Sequence, residues 1–232
     1  MRNMMIYFPF TMILLIGCSD NSTNNPDNSI TDTVFTDSRD GKKYGIVKIN
    51  SQVWMSENLN ASAYRNGDPI LYARSSKEWL DAANKKEGAW CYYDIDEQNG
   101  KNFGKLYNWY AVNDPRGLAP KGYHIPTNTE WNVLSNYLGG DLIAGKKMKS
   151  TSEWQRSLET GDNSSGFNGE GSGLRRQWGA FDYLYQFGLW WCSTEFDTNY
   201  VWHCNLVYYS VGVGRYHEFE KGVGLSVRCI KD

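Results

Sequence analysis

Five cysteines, three histidines and one short run of oxygen-bearing side chains carry most of the chemistry this sequence can offer. Four of the cysteines, Cys91, Cys192, Cys204 and Cys229, suit disulfides if the chain is exported, and more than one connectivity is open. Segments 190–195 and 201–206 read as strands around a five-residue loop, which sets Cys192 directly opposite Cys204 on one face. Such a bridge closes a short loop and is worth about 3 kcal/mol in the chain-entropy account. That pairing leaves Cys91 with Cys229; the alternative is that some of the four stay free as buried thiols. His124, His203 and His217 are scattered, with no His-x-x-x-His or Cys-x-x-Cys pair. Structural or surface roles are therefore expected for them, and no metal centre. Glu195, Asp197 and Asn199 bring oxygens together in a way compatible with calcium, but no motif supports it, and a solvated hairpin loop is the plainer expectation. No Gly-x-Ser-x-Gly nucleophile elbow is present and no cofactor is implied. The chain is expected not to be an enzyme.

Aromatic residues make up 15% of the 232, with ten Trp and sixteen Tyr, enough for an aromatic core and a binding surface besides. A net charge of −2 gives no basic footprint for nucleic acid. Arg2 precedes an apolar run, 6–16, that is too short to span a bilayer as a mature helix. It ends in Leu15-Ile16-Gly17-Cys18, which resembles the lipobox of bacterial lipoproteins. The resemblance implies a signal peptide over 1–17 and a lipidated Cys18 as the first mature residue. Each buried CH₂ of such a chain contributes roughly 0.8 kcal/mol, so the membrane becomes a partner through the anchor. With Ser19 and Asp20 following, the outer membrane is the expected location, and surface display is compatible with it. Residues 18–33 are polar and Asn-rich and read as a flexible tether. Residues 34–232 read as one domain without internal repeats.

The elements that must position these residues follow from local signals. In GLAPKGYHIPTNTEW, 117–131, Thr127 to Glu130 fits a capping box, with Pro126 and Trp131 placed for a hydrophobic staple. The helix it opens runs to about Leu138, with Trp131, Leu134 and Leu138 on one face and Gly139 as its stop. A second capping box, Ser75 to Glu78, opens a helix through Trp79, Leu80 and Ala83. Strands are expected at 44–49 and 53–55 around an Asn50-Ser51 turn, and at 89–93, 190–195, 201–209 and 225–230. A helix is expected at 104–112, and 56–74 looks irregular. Residues 150–188, rich in Gly, Ser and Asn, read as a functional loop region. This order argues an α+β class with an antiparallel sheet.

The blocks DGKKYGIVKINSQVWMSENLN, GKLYNWYAVNDPRGLAPKGYHIPTNTEW, LGG, AGKKMKST, WWCSTE and GLSVRCIKD, in this order, resemble the Fibrobacter succinogenes major paralogous domain of bacterial surface and secreted proteins. The resemblance spans nearly all of 34–232. It implies a C-type lectin-like fold of small antiparallel sheets, two or three helices and long loops, with the two ends of the domain paired as strands. The chain departs from the family at GEGSG, 169–173, and at Cys192 and Cys204. The fold is shared with formylglycine-generating enzymes, but their closely spaced C-terminal Cys pair is missing, as is the His-rich iron pattern of the sulfoxide synthases. The sugar-binding signatures of C-type lectins are missing too.

What remains is a non-catalytic binding module for a glycan or a surface protein, the alternatives being a structural or adhesin subunit and, less favoured, a formylglycine-generating-like enzyme. The ligand face is expected between Glu195 and Gly224, where Tyr208, Tyr209 and Tyr216 join Glu195, Asp197 and Asn199. The stretch VYYSVGVGRYHEFEKGVG shows no clean strand period and has the Tyr, Ser and Gly mixture of adaptable binding loops. By analogy of fold, such a segment is also open to diversification on a fixed scaffold. Trp190, Trp191 and Trp202 are expected in the core.

Overall fold

A computed structural model describes residues 33–232. The signal peptide, Cys18 and all of the tether except Thr33 lie outside the described residues.

A hairpin lies near the start of the domain. In β2 (Lys43–Ile49) and β3 (Gln52–Met55), Ile49 pairs with Gln52, so Asn50 and Ser51 alone make the turn, and Asn50 takes φ 56°. Asn is among the few residues that accept that conformation without a large cost. β1 (Thr33–Thr36) adds to the outside of β2, and the last strand, β14 (Ile230–Lys231), pairs with β3 on one side and β7 (Tyr123–His124) on the other. Both ends of the domain therefore share one five-stranded sheet.

A second sheet orders β4 (Leu71–Tyr72), β5 (Ala89–Cys91), β6 (Leu106–Asn108), β13 (Gly224–Leu225), β8 (Ser172–Arg175) and β9 (Phe181–Leu184); only the β4–β5 pair in it is parallel. A third is a meander of β10 (Phe187–Glu195), β11 (Tyr200–Val207) and β12 (Gly214–Glu220). Five α-helices accompany them: α1 (Ser76–Lys85), α2 (Glu97–Phe103), α3 (Trp109–Val112), α4 (Asn128–Tyr137) and α5 (Ala144–Met148). The class is α+β, with more helices among the described residues than the two or three expected, because α2 and α5 are of one or two turns and carry no periodic signal. None of the described helices is long and apolar enough to cross a membrane.

Both capping boxes form. Ser75 and Thr127 each accept from the backbone of the residue three positions on, and Glu78 and Glu130 return to the cap N–H groups. α4 ends where expected, with Leu138 as the cap and Gly139 at φ 108°. It buries Trp131 and Leu134, which pack with Leu138, Trp54, Phe167 and Trp190 in one core. In that core the Trp54 and Trp131 rings lie 4.8 Å apart and the Phe167 and Trp190 rings 5.6 Å apart. In α1, Trp79 and Ala83 are buried but Leu80 faces out.

Three expectations change. Segment 104–112 is half strand, because Asn108 ends β6 and turns the chain: its Oδ1 accepts from the N–H groups of Ala89 and Ala111, and its Nδ2 donates to Glu87. Within 150–188 the β8–β9 hairpin hides from sequence reading because all four residues of β8 are buried, which removes any alternation. Segment 225–230 divides into β13 and β14, with Arg228 buried between them at 0% exposure. Its guanidinium donates to Asn58 Oδ1 and to the carbonyls of Met55, Phe167 and Asn168. A buried cation is tolerable only with such complete pairing; burial still brings its pKa down to about 10.

Candidate functional site

The C-terminal meander is where the sequence places the ligand face, and its geometry is set by two bulges at one level. Trp191 pairs with His203 and Glu195 with Val201, so three residues of β10 oppose the single Trp202. On the other side Val201 pairs with Phe219 and His203 with Tyr216, so His217 and Glu218 of β12 oppose the same Trp202. The extra residues of β10 are used: Ser193 N–H donates to the Pro126 carbonyl, and Thr194 Oγ1 accepts from Asn128 N–H. The start of α4, with its capping box, is thereby tied to the meander.

This bulge corrects the cysteine reading. Cys204 pairs across from Trp190, not Cys192, which sits inside the bulge with its carbonyl accepting from Trp109 Nε1. Cys192 and Cys204 share a core without a bridge, while Cys91 and Cys229 belong to different cores. All four are free, buried thiols. Burial pushes the pKa of Cys91 and of Cys229 up to about 12, and those of Cys192 and Cys204 upward as well. None is poised as a thiolate nucleophile.

The expected site residues divide between the two ends of β11. At its far end, a cleft of about 420 Å³ is lined by Tyr209 and Tyr216 together with Phe187, Asn205 and Asp141. Tyr209 and Tyr216 are 58% and 51% exposed. Phe187 stacks on Tyr183 at 4.5 Å and meets Tyr209 edge-on at 6.4 Å. A Cβ at Gly214 would overlap Asn205 Oδ1 and the Tyr216 ring, so glycine is what lets these two side chains sit together. Tyr208 turns elsewhere, into a smaller cleft of about 180 Å³ beside Trp154 and Lys149.

At the near end, Glu195 and Asn199 line a cleft of about 560 Å³ with Trp109, Tyr110, Tyr200 and Lys221. Lys221 Nζ pairs with Glu195 at 3.0 Å and lies 4.6 Å from the centre of the Trp109 ring. Asp197 does not join them. Its Oδ1 accepts from the N–H groups of Asn199 and Tyr200, closing the hairpin tip as an Asx turn, and these bonds lower its pKa. Among the described residues no group of three or more His, Cys, Asp or Glu side chains is placed to hold a metal ion.

Stretch 214–220, which lacks a clean period in sequence, is the bulged edge strand β12. Its alternation runs only between exposed and half-buried positions, with His217 and Phe219 half-buried and Tyr216, Glu218 and Glu220 exposed, so polarity does not reveal it. The histidines are structural. His203 is buried against Phe219 and Tyr216 with neither ring nitrogen hydrogen-bonded, and burial takes its pKa down to about 3, so the ring is neutral. His217 stacks on Phe196 at 3.6 Å. His124 bridges Glu130 and Asp232, each at 2.8 Å. Trp190 and Trp191 are core residues as expected, and Trp202 is half-buried. Sequence reading missed Phe187 and Asp141 at one end and Trp109 at the other, since only the register brings them beside the tyrosines and Glu195; Asn205 and Lys221 fall inside the expected interval without being singled out there.

A family model described as Fibrobacter succinogenes major domain matches residues 47–231, which contain both clefts. The chain belongs to the Fibrobacter succinogenes major domain family. No curated protein and no solved structure matches this Fibrobacter succinogenes major domain chain.

Proposed function

We propose that this chain is a non-catalytic binding module of C-type lectin-like fold, held at the outer membrane by lipid on Cys18, and that the Tyr209/Tyr216 cleft takes a glycan or a surface protein. The observation that carries the reading is the pair of half-exposed tyrosines on one cleft with Phe187 behind them and Asn205 and Asp141 beside them. Exposed rings next to the Asn205 amide, beside an Asp141 carboxylate that Arg215 holds by two hydrogen bonds, suit a sugar face or a protein hot spot. The pairing of both chain ends in one sheet supports the lectin-like fold. The raised thiols and the spent carboxylates of the hairpin tip support binding over catalysis. The test is a screen of immobilised glycans and envelope proteins with the wild type and a Tyr209→Ala/Tyr216→Ala variant of unchanged melting temperature. A ligand bound equally by both forms places the site elsewhere. Membrane fractionation of Cys18→Ser checks the anchor; a variant that stays with the membrane refutes it.

A further inference from the structure

The larger cleft at the near end of β11 is built from five separate chain segments: the end of α1, α3, the β8–β9 turn, the β10–β11 tip and the end of β12. Its floor is fixed. Trp109 N–H donates to the Lys221 carbonyl at 2.9 Å, and the Lys221 ammonium lies over the Trp109 ring while pairing with Glu195. Above that floor the lining changes character. The amides of Asn113, Gln177 and Asn199 and the hydroxyls of Tyr110, Thr198 and Tyr200 all line the cleft. Among the described residues, none of these six side chains makes a hydrogen bond within the protein, although their backbones are tied down at Asn113, Asn199 and Tyr200. The charged lining residues are Lys86, Lys221, Glu195 and Glu220, two of each sign, so the cleft carries no net charge.

We propose that this cleft is a second binding site, distinct from the tyrosine cleft, for an uncharged oligosaccharide segment. A polyanion or polycation gains nothing from balanced charge, and a purely apolar group would leave the amides and hydroxyls without partners. A chain of neutral hydroxyls both donates and accepts, which matches side-chain amides that do the same. The volume of about 560 Å³ lies in the range of small-ligand sites and holds a few sugar rings. Tyr200 and Val207 mark the two clefts at opposite ends of β11, roughly 23 Å apart at about 3.3 Å per residue. The proposal thus goes beyond the tyrosine cleft and stands or falls separately from it.

The experiment titrates the full-length protein, in detergent, with neutral hexasaccharides of glucose, xylose and mannose, and with an oligogalacturonate and a chitosan oligomer of the same length. Wild type and two variants are compared, Asn113→Ala/Asn199→Ala and Tyr209→Ala/Tyr216→Ala. Both asparagines are exposed, and their side chains hold nothing in the fold. The expected result is that at least one neutral hexasaccharide binds, that the asparagine variant weakens it by roughly tenfold or more, and that the tyrosine variant leaves it unchanged. No binding by any neutral hexasaccharide overturns the proposal. So does tighter binding of either charged oligomer, or neutral binding that survives the asparagine variant. Neutral binding lost only in the tyrosine variant overturns this site while supporting the other cleft.

Discussion

Where β11 turns into β12, the backbone is held from outside the sheet. Lys146 N–H donates to the Val211 carbonyl, Val213 N–H donates to the Asp141 carbonyl, and Gly145 lies so close to the Gly212 carbonyl that no Cβ would fit. Beneath that turn the Lys149 ammonium is buried and donates to the carbonyls of Glu159, Val207 and Ser210. Where β10 turns into β11, the tip is held by its own Asx turn and by Lys221 reaching to Glu195. The tyrosine cleft therefore rests on helix α5 and a buried cation, and the polar cleft on a rigid floor with a locally braced rim. Contacts from α5 and Lys149 fix the first; at the second a local Asx turn closes the rim over a floor fixed by the Trp109–Lys221 contact. A binding surface made of rings needs the former, since ring stacking is lost with small displacements.

Four substitutions or conditions probe this contrast, and the largest effect belongs to the buried cation. Lys149→Met leaves the Glu159 and Ser210 carbonyls without a donor, Val207 keeping the Ser210 N–H, and is expected to cost about 2–4 kcal/mol in urea unfolding. It should also free the 208–213 turn, seen as faster amide exchange at Val213, while the tip exchanges as before. Equal loosening at both ends would erase the distinction. Gly214→Ala comes next: overlap with Asn205 and Tyr216 should close the tyrosine cleft for about 1–3 kcal/mol of stability, judged by thermal melting and by loss of ligand in the glycan and protein screen. Retained binding would place the ligand away from that cleft.

The third test is pH. Burial pushes the pKa of His124 down, but hydrogen bonds to Glu130 and Asp232 outweigh it, and the net shift is above the usual 6.5. A raised pKa means that the folded state holds the proton more tightly. Its stabilisation is complete below pH 6.5 and is lost as pH rises through the higher folded value. Melting temperature should fall across that window, and His124→Gln should flatten the slope. A slope unchanged in the variant assigns it to another group. The smallest effect is expected from Asp197→Ala, which should raise amide exchange at Asn199 and Tyr200 and leave the far end untouched; protection unchanged at both would remove the Asx turn from the account.

Strictly local devices were legible in the sequence. The capping boxes at Ser75 and Thr127, the Asn50-Ser51 turn and the stop at Gly139 each depend on side chains within a few positions of the backbone they serve. The cysteine pairing was not legible, because the bulge that displaces Cys192 is set by Pro126 and α4, more than sixty residues away in the chain. For the candidate site, the interval from Glu195 to Gly224 was legible and its division was not. Tyr208 and Tyr209 are neighbours in sequence but face different clefts, and Asp197 spends its carboxylate on its own backbone. Trp109 and Lys221 meet only because β6, β13 and the end of β12 are brought together.

The claim that ties these observations together is that the C-terminal meander is the binding face. Hydrogen–deuterium exchange of the full-length protein, with and without a ligand from the glycan and protein screen, tests it most directly. The account predicts added protection at 205–216 and around Phe187, or at 195–200 with Tyr110 and Asn113, and none on β1 or β2. Protection confined to β1, β2 or the outer face of α1 would contradict it.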